Sequence, residues 1–169
     1  VWRPQNILMA CTGKLIDEYL KPATTGERKD CIAMTEPGAG SDLRGMKTKA
    51  VKSEDNWIIN GTKHFISNAH ISDFVVLFAA TGIDENSRNL ISCFLVNLDL
   101  PGVEVAKGYD CVSHRGYVNN IIHFNDCKIP YSNILGEEHK GFELINTWLD
   151  ATRLTVAATS VARAERAFD

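Results

Sequence analysis

The chain has 169 residues, about one domain's length, and is 44% hydrophobic and 23% charged with a net charge of −3. There is no basic excess to mark a nucleic-acid partner, and no apolar run approaches the ~18 residues of a membrane span. Cys11, Cys31, Cys93, Cys111 and Cys127 are an odd set without C-x-x-C spacing. That argues for reduced thiols in an intracellular compartment rather than a disulfide framework or a zinc site.

In chain order, Ile7, Cys11, Leu15 and Tyr19 recur every fourth residue, which predicts an amphipathic helix over 6–20 ended by Pro22. A polar connector, 23–30, follows. The pattern then changes to short apolar runs separated by turn residues, predicting strands at 31–35, 47–53, 56–60, 63–67, 74–80, 91–97, 102–107 and 119–125. Strands without intervening helices predict an antiparallel β-barrel or sandwich, with Val75–Phe78 in a central strand. From Gly141 the helical period returns through Phe142, Ile145, Leu149, Thr152, Val156 and Thr159. The fold expected is α+β: a central antiparallel β domain (23–136) flanked by the end of one helical domain (1–22) and the first helix of another (137–169). No stop signal closes the last helix, so the chain reads as a piece of a longer protein.

Two stretches concentrate polar atoms near glycines. The first is Thr35-Glu36-Pro37-Gly38-Ala39-Gly40-Ser41-Asp42, directly after the apolar run Cys31–Met34. Pro37 stops the strand, while Gly38 and Gly40 permit positive φ and close backbone approach beside the hydroxyls of Thr35 and Ser41. Such an arc suits an anionic or carbonyl-rich ligand. It is neither a dinucleotide fingerprint, since Leu43 stands where a third glycine belongs, nor a P-loop. The second stretch is 56–68, in which Asn60-Gly61 reads as a type I′ hairpin turn. Strand alternation then puts Phe65 and Ser67 on one face and His64 and Ile66 on the other. A third candidate, Asp150 and Arg153 at i, i+3 on the last helix, reads on sequence alone as a surface ion pair before it reads as a site. The five histidines, His64, His70, His114, His123 and His139, show no metal-ligand spacing.

Ala33–Asp42, the Asn-Gly segment ending in Phe65-Ile66-Ser67, the Asp-x-x-Arg of the last helix and Ile129-Pro130 followed by Asn133-Ile134-Leu135-Gly136 together resemble the acyl-CoA dehydrogenase family, in order and spacing. The resemblance covers nearly the whole chain. It implies FAD as cofactor, met by Ile32, Met34, Thr35, Gly40, Ser41, Phe65, Ile66 and Ser67. The aromatic of the triplet packs against the isoalloxazine ring and its hydroxyl bonds flavin N5. Phe65 and Ser67 depart from the family's usual Trp and Thr but keep a flat apolar surface and a donor. Ser41, Asp150, Thr152 and Arg153 are implied as contacts to an acyl-CoA substrate. Thr152 stands where the isovaleryl-CoA type of dehydrogenase carries its catalytic Glu, so the base is expected on a helical domain outside this chain. The implied reaction is α,β-dehydrogenation of an acyl-CoA thioester, with an electron-transfer flavoprotein as acceptor. A homotetramer or homodimer in a bacterial cytoplasm or mitochondrial matrix is implied as well. An acyl-CoA oxidase would share these motifs, as would a non-catalytic scaffold. The chain by itself is expected to be inactive and to bind FAD weakly.

Overall fold

The computed structural model describes residues 4–112, 116 and 118–169. The chain opens with a 3₁₀ turn, Asn6–Ala10, then a π-helical turn, Ile16–Leu20, that runs into α1 (Lys21–Thr25). Ile7, Cys11, Leu15 and Tyr19 are all buried, as the periodicity demands. The single helix expected over 6–20 is nevertheless interrupted at Thr12-Gly13, where Gly13 takes φ 53°. Nor does Pro22 end it. Pro22 falls in the first turn of α1, beside a π turn that has already left the i→i−4 ladder. The helix closes at Gly26, in the left-handed conformation that glycine adopts without a Cβ penalty.

Eight strands follow: β1 (Asp30–Ala33), β2 (Lys49–Ser53), β3 (Asn56–Ser67), β4 (Phe74–Ile83), β5 (Asn89–Asn97), β6 (Val103–Lys107), β7 (Asn119–Pro130) and β8 (Ile134–Leu135). They pair in the order β6-β7-β3-β2-β4-β5-β8, and β1 lies parallel to β4. β2 meets β4 through one parallel pair, Lys49 with Ala80, while the other ladders are antiparallel. The sheet is therefore mixed but mainly antiparallel, and its path does not close.

Strand alternation explains how it packs. Even-numbered residues of β4 (Phe74, Val76, Phe78) join Ile7, Tyr19, Leu95 and Ile145 in one core under the helices. Odd-numbered ones (Val75, Leu77, Ala79) join Trp57, Ile59, Phe94, Ile122 and Phe124 in a second core against β3 and β7. Covered on both faces, β4 has to be apolar throughout, and Phe74–Ala80 are all buried. This is the sandwich-like architecture expected, with a helical layer on one side.

The last helix, α2 (Gly141–Phe168), docks by its first turns only. A Cβ on Gly141 would stand 2.9 Å from the Ile91 carbonyl oxygen, so glycine is what lets the helix start against β5. Beyond Leu149 the helix is largely exposed, with Leu154, Val156 and Val161 on its surface.

Four buried thiols make the stability of this fold sensitive to alkaline pH. Burial pushes Cys11 and Cys127 up to about 11, Cys31 to about 12 and Cys93 well above its ordinary value of 9. In the unfolded chain they ionise near 9, so above that pH the folded state holds more protons than the unfolded one. Stability is expected to fall steadily as pH rises from 9 towards 12. Thermal midpoints at pH 7.5, 9 and 10.5 check this, and a midpoint that holds at 10.5 would contradict it.

Candidate functional site

The Thr35–Asp42 arc leaves the end of β1 as a tight turn. Glu36 N donates to Ala39 O (2.9 Å) and Ala39 N to Glu36 O (3.2 Å), with Pro37-Gly38 between them. Asp42 then caps a 3₁₀ turn, Leu43–Gly45, by accepting from Arg44 N at 3.1 Å. Gly38 and Gly40 do not use the positive φ that glycine permits. No atom lies within 4 Å of the place a Cβ would occupy on either, so both present backbone to open space. Ala39 is buried while Gly40 and Ser41 are exposed. Among the described residues the side chains of Thr35, Ser41 and Ser67 have no hydrogen-bond partner.

Asn60-Gly61 does not form the hairpin turn expected of it. β3 runs unbroken through this dipeptide, and the β2–β3 turn is Glu54-Asp55, with Glu54 at φ 53°. Gly61 serves a different need. At φ 149° it passes so near Thr48 that a Cβ would stand 2.6 Å from the Thr48 Cα. Close approach, not reversal, requires glycine here.

The expected alternation along the end of β3 fails for a related reason. Lys63 pairs with Ile122 and Ile66 with Asn120, so His64 and Phe65 together oppose Ile121 alone. This is a β-bulge, and it shifts the pleat by one residue. Phe65 sits in it at φ 56°, with its side chain turned outward and 55% exposed, while Ile66 is buried. Phe65 packs on Tyr109 (ring centroids 4.8 Å apart), and the Tyr109 hydroxyl meets His64 Nδ1 at 3.1 Å. Beside Tyr109 opens a groove of about 570 Å³, lined also by Lys107, Cys111, Val118 and Asn119.

The bulge and the arc are neighbours. His64 N donates to Thr35 O at 2.8 Å. Under them lies a pair the sequence pattern gave no reason to single out. Lys63 Nζ donates to Glu36 Oε1 (2.8 Å) and to Met34 O (2.9 Å), with side chains only 0% and 4% exposed. The Glu36 carboxylate also accepts from Lys47 N (2.5 Å) and Thr48 N (3.0 Å). Burial works against ionisation of Glu36, yet the Lys63 charge and these hydrogen bonds outweigh it and leave the carboxyl below its ordinary value. Burial lowers Lys63 to about 8, despite Glu36. Between about 8 and its ordinary 10.5, Lys63 therefore opposes the alkaline loss from the thiols.

The structure thus brings Thr35, Phe65, Ser67 and the backbone of Met34 into one neighbourhood. Ile32 and Met34 are half-buried and pack against the core under the helices. Asp150, Thr152 and Arg153 stand on α2. Arg153 Nη1 approaches Asp150 Oδ1 at 3.4 Å in an exposed pair, and Thr152 Oγ1 donates to Trp148 O within the helix. Among the described residues no hydrogen bond or ion pair joins these three to the arc. His114 lies outside the described residues.

Comparison with known proteins identifies the family and the fold. The family model described as acyl-CoA dehydrogenase, middle domain, matches residues 31–127. A subunit (CarC) of the caffeyl-CoA reductase-Etf complex of Acetobacterium woodii is 40% identical over 163 residues, 96% of this chain and 43% of that protein. The crystal structure of a probable acyl-CoA dehydrogenase from Mycobacterium abscessus superposes with a TM-score of 0.84 at 30% identity, covering 91% of this chain and 41% of the other. A glutaryl-CoA dehydrogenase from Mycobacterium smegmatis, solved in complex with FADH2, gives 0.69 at 28% identity over 78% of this chain and 34% of that one. The chain spans about two fifths of the length of the curated relatives it matches.

Proposed function

The chain belongs to the acyl-CoA dehydrogenase family, and from that premise we propose that it forms the flavin-facing part of an enzyme that desaturates acyl-CoA thioesters between Cα and Cβ. The observation that carries this reading is the bulge at His64-Phe65. It turns a bulky ring out of the sheet, in a backbone conformation such residues avoid, immediately beside a polar arc whose hydroxyls have no partner among the described residues.

These residues fit FAD. The exposed Phe65 ring offers a flat apolar face, Ser67 supplies a hydroxyl two residues on, and Thr35 is held against the same bulge through His64 N. Gly40 leaves its backbone open, and Ser41 adds an exposed hydroxyl. Ile66 contributes through its backbone, because its side chain faces the core. Bound there, FAD would supply the two-electron acceptor for the β-hydrogen.

The chain's own residues do the rest by position. Phe65 excludes water from one side of the site, Ser67 and Thr35 orient polar groups, and Ser41 faces the substrate. Asp150, Thr152 and Arg153 offer polar contacts to the CoA ester along α2. The α-proton is taken by a carboxylate, a Glu contributed from outside this chain, so that loss of one proton and one hydride leaves the C=C bond. An electron-transfer flavoprotein reoxidises the enzyme, and the free thiols fit a reducing, intracellular compartment.

The test is an anaerobic visible spectrum of the protein carrying this chain, before and after addition of a panel of acyl-CoA thioesters. Flavin absorption that bleaches with at least one thioester is the expected result. Flavin that never bleaches, or FAD that fails to bind, would overturn the reading.

A further inference from the structure

Lys63 and Glu36 do not face solvent, yet they tie together every segment that forms the proposed flavin site. Lys63 stands two residues before Phe65 and reaches across to Met34 O and Glu36 Oε1. Glu36 opens the Thr35–Ser41 turn and binds the backbone N–H groups of Lys47 and Thr48. The main-chain bond from His64 N to Thr35 O runs beside them. Thus the arc, the approach to β2 and the bulged end of β3 are joined at one ion pair.

Stability alone is a poor reason for such a pair. Both charges are removed from water, and a well-packed apolar pair of similar volume commonly does as well or better. What an apolar pair lacks is direction. A cation aimed at one carbonyl, and a carboxylate holding two N–H groups, fix the arc at one distance and rotation relative to the bulge.

We propose that Glu36 and Lys63 are positioning residues that hold the Thr35–Ser41 arc in register with Phe65 and Ser67, and thereby set how tightly and in what orientation FAD is bound. The inference rests on the reading of this site as a flavin site.

The test compares wild type with Glu36→Gln, Lys63→Met and the double variant, in the protein carrying this chain. Each is measured for thermal midpoint without cofactor, for FAD dissociation constant and for visible circular dichroism of the bound flavin. The single variants leave one buried group without its partner and are expected to lose both stability and affinity. The double variant leaves no lone charge and is expected to regain most of the stability, while FAD remains about tenfold weaker with an altered dichroism spectrum. Affinity that recovers together with stability, or that never changes, overturns the inference by making the pair merely structural.

If the Lys63→Met variants do not fold, Glu36→Gln decides alone. It is isosteric, and Lys63, already lowered to about 8, loses its proton readily beside a neutral partner. FAD binding about fivefold weaker in folded Glu36→Gln supports the proposal, and unchanged binding overturns it. Wild type that binds no FAD would instead overturn the functional reading, and this inference with it.

Discussion

Replacing Gly61 with alanine is expected to lower the thermal midpoint by about 10 °C. Two costs combine. At φ 149° glycine occupies backbone space that an L side chain rarely enters, which costs about 1–3 kcal/mol. The new Cβ would also lie 2.4 Å from Thr48 Oγ1, 2.6 Å from its Cα and 2.7 Å from its Cβ. Only the first of these atoms belongs to the tip of a side chain, and Thr48 is fully buried with its carbonyl accepting from Ala80 N at 2.9 Å. Thr48 cannot retreat without disturbing β4, and overpacking of this kind adds about 1–3 kcal/mol. The damage reaches the site as well, because Thr48 N is one of the donors that hold Glu36. Gly38→Ala is the control. It adds the same methyl group into open space at ordinary φ and is expected to shift the midpoint by no more than about 2 °C. Differential scanning calorimetry of the two variants decides the matter, and equal midpoints would refute the close approach at Thr48.

Gly61 also shows where reading from sequence stops. Asn-Gly is the strongest local hairpin signal, and nothing within several residues distinguishes a reversal from a strand that skims another backbone. The distinguishing fact is Thr48, thirteen positions earlier, brought near only by the sheet. The same holds for the bulge. Trp57, Ile59 and Lys63 share one phase of the pleat and Ile66 the other, but the break is visible only once Lys63 is known to point inward. Pattern rules send lysine to solvent, so they hid both the phase shift and the Glu36 partnership. An inward-facing lysine and a glutamate at the edge of the same core would have been the signal. By contrast, the fully apolar run through β4, the buried face of the N-terminal segment and the first turns of the helix after Gly141 depend on burial alone, and the sequence carries burial directly. Tyr109 was illegible for a third reason. Its role as Phe65's neighbour depends on a loop contact across 44 positions.

The strain at Phe65 leads to the second large effect. Phe65→Gly is expected to leave the cofactor-free thermal midpoint within about 3 °C of wild type while weakening FAD binding more than about tenfold. Glycine relieves a left-handed backbone that costs a bulky residue about 1–2 kcal/mol. Against this gain stand the ring's contacts to Tyr109 and, edge-on, to His64, of similar magnitude at about 0.5–1.5 kcal/mol. A bulky residue kept in an unfavourable conformation and more than half exposed is placed there for something outside the fold. Phe65→Trp retains the flat surface and is expected to restore most of the affinity. Fluorescence titration with FAD, run alongside melting of the cofactor-free variants, separates the possibilities. Affinity lost at constant stability assigns the ring to the flavin. Affinity unchanged would move the flavin away from the bulge, and a collapse in stability would make the ring a structural member of the Tyr109 contact.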